Sequence, residues 1–137
     1  MRICAPIVAL LLAATCGLAF AATPSQLLES YATGAKAADP GFVGFSAERG
    51  KALFLGKFST GRPETPSCTT CHTENPKAIG QTRAGKNIEP MAVSVNPKRY
   101  TDLKKVEKWF RRNCDNVLGR SCTPVEKGNF ITFMMSQ

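Results

Sequence analysis

The chain of 137 residues has one histidine, one tryptophan, and ten acidic residues against 18 basic ones. A lone histidine excludes ligation of one metal by two imidazoles of the same chain. It also weakens a zinc reading, since zinc needs four ligands and the one histidine directly follows a cysteine pair. The apolar run from Pro6 to Ala14 is too short to span a bilayer comfortably, which argues against a retained anchor. The scarcity of acidic groups gives a formal charge of +8, which suits encounters with acidic protein faces. The length allows one domain with a real core and leaves no room for a comfortable second.

The N-terminus has the plan of an export signal. Arg2 supplies the positive start, the apolar run follows, and Ala19-Phe20-Ala21 places small residues where a peptidase cuts. Residues 1–21 are therefore expected to leave, with cleavage after Ala21 and a mature protein in the periplasm. The sequence around Cys16 is a poor lipoprotein box, because Thr15 precedes the cysteine. Loss of Arg2 lowers the formal charge from +8 to +7.

What the chain does have is Cys68-Thr69-Thr70-Cys71-His72. Two thiols one helical turn apart can reach the two vinyl groups of one haem, and the adjacent imidazole can bind the iron from the proximal side. The motif assigns Cys68 and Cys71 to covalent haem c and His72 to the iron. It also argues against nucleic acid as a partner. Of six cysteines, Cys4 and Cys16 leave with the signal and two go to haem, so Cys114 and Cys122 remain. In an oxidising compartment these two are expected to pair.

The mature chain reads as helices around this motif. Thr23-Pro24-Ser25 starts a short helix carrying Leu27, Leu28 and Tyr31, which gives way near Thr33 to small residues and then Asp39-Pro40-Gly41. This N-terminal extension is expected over 22–45, with the main domain over 46–137. Ser46 caps a helix bearing Leu53 and Phe54, and Gly50 lets another helix come close. From His72 to Tyr100 no apolar period is sustained, so this segment is expected to wrap the haem edge, with Ile88 and Met91 excluding water. A backbone carbonyl just behind His72 should accept the second ring N–H of the imidazole. Thr101 caps a helix with Leu103, Val106 and Phe110 inward. Its outer face carries Lys104, Lys105, Lys108, Arg111 and Arg112, either as a solvated surface or as a contact for an acidic redox partner. Thr123-Pro124-Val125-Glu126 is a capping box with proline first, and it opens a last helix containing Phe130, Ile131, Phe133 and Met134. This order resembles the all-α class I cytochrome c fold, in which first and last helices cross. Gly50 and Phe54 against Phe130 is the expected crossing contact.

The distal ligand of such folds, usually methionine, comes from the loop before the last helix. Here the stretch from Asn113 to Cys122, taken as that loop, contains no methionine, while Met91 precedes the middle helix. The run Pro90-Met91-Ala92-Val93-Ser94-Val95-Asn96-Pro97-Lys98-Arg99-Tyr100, followed by Lys105-Val106-Glu107-Lys108-Trp109-Phe110-Arg111-Arg112-Asn113-Cys114, resembles the sphaeroides-type haem proteins, SHP, a branch of class I cytochromes c. The likeness extends from about Ser46 to the C-terminus. It implies that Asn113 is the sixth ligand of ferric haem and that Cys114 and Cys122 form the disulfide. Asn116 is the fallback ligand and Met91 the alternative.

The resemblance implies a monohaem protein that accepts electrons and binds a diatomic such as O2 or NO when reduced. It also implies a dihaem cytochrome c and a membrane cytochrome b as electron donors. A plain electron carrier with His72 and Met91 as ligands is a second reading. A gas-consuming haem enzyme is a third, weakened by the absence of a distal histidine. Arg83, Arg99, Arg111, Arg112 and Arg120 are the cations that could stand in for one.

Overall fold

The computed structural model describes residues 22–137, so the expected signal segment over 1–21, with Cys4 and Cys16, lies outside the described residues. Among the described residues five helices run in order: α1 Pro24–Ala38, α2 Ala47–Leu55, α3 Thr69–His72, α4 Leu103–Leu118 and α5 Pro124–Met135. A two-stranded antiparallel ribbon, β1 Gly80–Gln81 and β2 Asn87–Ile88, pairs Gly80 with Ile88 in the segment after α3. No helix among the described residues is long and apolar enough to cross a membrane.

The crossing of α2 and α5 is the centre of the core. Ser46 caps α2 by accepting from the Arg49 N–H, and its own N–H donates to Asn129 Oδ1 at 2.8 Å, which satisfies an asparagine only 4% exposed. A Cβ on Gly50 would lie 2.0 Å from the Asn129 carbonyl oxygen, so only glycine permits this approach. Phe54, fully buried, meets Phe130 and Phe133 with ring centroids 6.0 and 5.9 Å apart. Phe130 continues the stack to Phe110 at 5.4 Å and to Tyr100 at 6.5 Å, both edge-to-face.

α1 runs further than the expected short helix. Thr23 and Gln26 form a reciprocal capping box, and the helix passes through Thr33-Gly34-Ala35 to Ala38. The small residues there are packing contacts, not a break. Ala35 is fully buried, and a Cβ on Gly34 would meet the Pro124 ring at 3.2 Å, so α1 lies close on α5. Leu27 and Tyr31 join the same core as α2, α4 and α5. Tyr31 O–H donates to Glu107 Oε1 on α4 at 2.5 Å, and Lys127 Nζ on α5 pairs with Glu107 Oε2 at 2.7 Å.

α4 also departs from expectation at both ends. Its cap is Asp102, whose carboxylate accepts from the Lys105 N–H at 3.0 Å, while the Thr101 hydroxyl donates back to the Lys98 carbonyl. The helix continues through Asn113 to Leu118 and stops at Gly119, which takes the left-handed conformation with φ +67. Asn113 through Leu118 is therefore helix, and only 119–122 is loop. Cys114 and Cys122 are joined by a disulfide with Cα atoms 5.6 Å apart. Thr123 then opens α5 with the capping box and leading proline expected.

Candidate functional site

A cleft enclosing about 840 Å³ of empty space, its open mouth included, lies between α3, α4 and the core. Its wall is mostly apolar, from Leu53, Val106, Phe110, Val117, Leu118 and Phe130. Cys68, Cys71 and His72 line one side, and Met91, Asn113 and Asn116 also reach it. The structure thus brings together Cys68, Cys71, His72, Asn113, Cys114, Asn116, Met91 and Cys122, which are spread over more than fifty positions of sequence.

The cysteine motif folds as one turn because its backbone is tied to itself and capped. His72 N–H donates to the Cys68 carbonyl at 3.1 Å, and Ser67 Oγ accepts from the Thr69 N–H at 3.2 Å. The turn ends at Thr73, where φ is +59. It places Cys68 and Cys71 at positions i and i+3 of one face, with His72 next to them. β1 crosses behind so closely that a Cβ on Gly80 would lie 2.2 Å from the Cys71 carbonyl oxygen. Both sulfurs are half-buried at the cleft, and neither is paired with another cysteine among the described residues.

These residues fit a haem. Burial, with the Arg99 charge adding to it, pushes the His72 imidazole down to about 4, so the ring is neutral at pH 7, the form that binds metal. Its Nδ1 is buried with no hydrogen-bond partner among the described residues. Here the expected carbonyl is not found. The Pro76 carbonyl, close behind the motif, accepts instead from the Met91 and Ala92 N–H groups at 2.8 and 2.9 Å. Those bonds draw the 89–92 segment under the cleft. Arg99 holds it from the other side, donating to the Glu89 and Pro90 carbonyls, and the buried Tyr100 hydroxyl donates to the Met91 carbonyl at 3.1 Å.

The opposite wall is the inner face of α4. Trp109, Asn113 and Asn116 follow one another at helical spacing and all line the cleft. No described residue hydrogen-bonds the Asn113 or Asn116 carboxamide. The Asn116 main-chain carbonyl, by contrast, accepts from the Arg62 N–H at 2.7 Å and from Thr65 Oγ1 at 3.1 Å. Met91 is 8% exposed at the cleft, while Met134 belongs to the core and Ile88 stands in β2 away from the wall. Among the described residues none of the five arginines considered above lines the cleft. Arg120 is paired with Glu126 at 2.7 Å, Arg83 with Glu64, and Arg112 stacks over Trp109 with its centre 5.3 Å from the ring. Trp109 is 44% exposed at the rim, beside Lys108 and Arg112. Sequence reasoning missed Thr65 and Arg62, whose contacts with Asn116 span about fifty positions and carry no local signal.

Comparison with known proteins places this architecture. Residues 40–134 match the family described as Domain of unknown function (DUF1924). The chain is 48% identical over 117 residues to cytochrome c-type protein SHP of Cereibacter sphaeroides, covering 84% of each. It is 38% identical over 121 residues to cytochrome c'' of Methylophilus methylotrophus, covering 88% of this chain and 84% of the relative. Among solved structures it is similar to oxidized SHP, described as an oxygen binding cytochrome c, with TM-score 0.78 and 46% identity over 85% of this chain and 98% of that one. Oxidized cytochrome c'' of Methylophilus methylotrophus gives a TM-score of 0.73 at 38% identity, over 83% of this chain and 94% of that one.

Proposed function

The chain belongs to the DUF1924 family and, with SHP, to the c-type cytochromes that carry covalently bound haem c, and from that premise we propose a weakly ligated monohaem redox protein of the periplasm. It accepts an electron and, once reduced, takes up a diatomic such as O2 or NO at the distal side. The all-α fold is that of the cytochromes c. When bound, haem c would supply an iron that changes oxidation state by one electron.

The residues divide the work. Cys68 and Cys71 would hold the group covalently, and the neutral His72 imidazole would bind the iron permanently. The apolar wall from Leu53 to Phe130 would keep water from the group. Asn113 would occupy the sixth position of the ferric protein through its carboxamide oxygen. A hard, neutral and weak donor suits ferric iron better than ferrous, so Asn113 would be the ligand given up on reduction. The observation that carries this reading is the Asn113 carboxamide, set within a helix, facing the cleft and bonded to no described residue. The likeness to SHP, an oxygen binding cytochrome c, supports it.

Electrons would enter at the basic rim of α4. Lys104, Lys105, Lys108, Arg111 and Arg112 are exposed there, and Trp109 reaches from solvent to the cleft. An acidic face on a donor protein complements that surface. The donors implied by the resemblance are a dihaem cytochrome c and a membrane cytochrome b.

Uptake of CO by the reduced protein tests the open site. Rapid binding to a high-spin ferrous form is expected, whereas a low-spin ferrous spectrum indifferent to CO would overturn the reading. A second reading, a plain electron carrier ligated by His72 and Met91, is favoured by one observation: Met91 lines the same cleft.

A further inference from the structure

The α4 wall carries two carboxamides one turn apart, and the reading above uses only one. Asn113 and Asn116 both line the cleft at positions i and i+3. The other polar side chains of the wall, the half-exposed Trp109 aside, are already committed. Thr65 O–H donates to the Asn116 main-chain carbonyl at 3.1 Å, Ser67 and Thr69 hydroxyls share a hydrogen bond at 2.9 Å, and His72 faces from the opposite side. Asn116 is thus, with Asn113, a hydrogen-bonding group of the wall left with no partner among the described residues.

The two asparagines differ in how firmly their backbone is held. The 60–65 loop is pressed on the last turn of α4. A Cβ on Gly61 would lie 2.3 Å from the Asn116 carbonyl oxygen, and one on Gly119 would lie 2.2 Å from the Thr60 carbonyl oxygen. Arg62 N–H adds a 2.7 Å bond to the same Asn116 carbonyl. Asn113 takes no such bond itself, although Cys114 beside it is bridged to Cys122. The Asn116 carboxamide therefore stands on a turn fixed from outside its helix.

We propose that Asn116 is the hydrogen-bond donor of the distal side: when Asn113 leaves on reduction, the Asn116 amide N–H stays at the wall and donates to the outer atom of the diatomic taken up in its place. This rests on the reading above that reduction opens the distal site. A donor there discriminates among diatomics. O2 draws negative charge onto its outer atom and gains a hydrogen bond, while CO stays nearly apolar and gains little.

The test uses the haem-loaded protein, with O2 and CO dissociation from the ferrous state measured by flash photolysis and stopped flow, the C–O stretch by infrared, and the ferric absorption spectrum. Asn116→Leu is expected to raise the O2 dissociation rate about tenfold, the worth of one hydrogen bond, and to change that of CO by less than about twofold. The C–O stretch moves to higher wavenumber, and the ferric spectrum stays as in the wild type. Asn116→Val, smaller and with no donor, raises O2 dissociation to a similar extent and covers the case of a leucine variant that does not fold. An O2 rate within about twofold of wild type in either folded variant overturns the proposal. So does an altered ferric spectrum in Asn116→Leu, which would make Asn116 itself the ligand. A wild-type ferrous protein that takes up no CO contradicts the open site and this proposal together, whereas normal CO uptake with unchanged O2 release contradicts this proposal alone.

Discussion

Cys114 is bonded to Cys122 across the end of α4, so the covalent bridge begins at the residue following Asn113 and ends at the residue preceding Thr123, the cap of α5. The helix that carries both cleft-lining carboxamides is thereby tied to the helix that crosses α2 at the centre of the core. Gly119 turns the chain between them, and the 60–65 loop closes over that turn.

The bridge closes a loop of roughly nine residues, which on the chain-entropy account stabilises the fold by about 2–3 kcal/mol. Replacing both Cys114 and Cys122 by serine should lower the unfolding free energy by that amount in guanidinium titrations. An unchanged denaturation midpoint would show that the contacts of the 60–65 loop suffice to hold the turn.

Gly50 is the most sensitive position of the core. The added methyl of Gly50→Ala would collide with the Asn129 carbonyl oxygen at 2.0 Å and approach the Phe133 Cβ at 2.8 Å, and the first of these is backbone that cannot swing away. The α2–α5 crossing must widen, at a cost of about 3 kcal/mol and a fall in Tm on the order of 10 °C. Thermal unfolding followed by circular dichroism checks this.

The contact of α1 with α4 gives the fold an acid dependence. Burial alone would raise the Glu107 carboxyl, but the hydrogen bonds from Lys127 and Tyr31 outweigh it and hold the group below its ordinary value of 4.5. The stabilisation is therefore present above the ordinary carboxylate range and is lost as pH falls below it through the native value. Glu107→Gln should be less stable than wild type at pH 7, and the difference should shrink below about pH 4.5. Unfolding titrations across that range measure it, and parallel pH curves would contradict the assignment.

Met91 lines the cleft, but its main chain is held by Pro76 and Tyr100 as part of the segment under the haem site. Met91→Leu keeps the volume and removes the sulfur, so the ferric absorption spectrum should be unchanged. Loss of an iron-to-thioether charge-transfer band in that variant would instead favour the plain electron carrier.

Much of this architecture is written in short-range signals. The cysteine motif, the Ser46 cap, the Thr123 capping box and the Gly50–Phe54 face are each complete within a few residues, and the structure forms all of those elements. What was misread depends on distant partners. Gly34 and Ala35 look like a weak point in a helix until α5 lies against them. Asn113 looks like a helix end because asparagine commonly ends helices, yet Gly119, with its left-handed conformation, supplies the actual stop. The β1–β2 ribbon has two-residue strands, too short to show a period. A carbonyl behind the motif is expected to hold His72 Nδ1, but none among the described residues does, and the Pro76 carbonyl there is bonded to the Met91 and Ala92 N–H groups, fifteen and sixteen residues on, a pairing no local pattern announces.

The central claim is that Asn113 is the ligand that comes and goes. It is tested most directly by absorption and EPR spectra of the wild type and Asn113→Ala, each in the ferric and the ferrous state. The account predicts that the ferric spectrum changes in the variant while the ferrous spectrum barely moves. A ferric spectrum identical to wild type would contradict it.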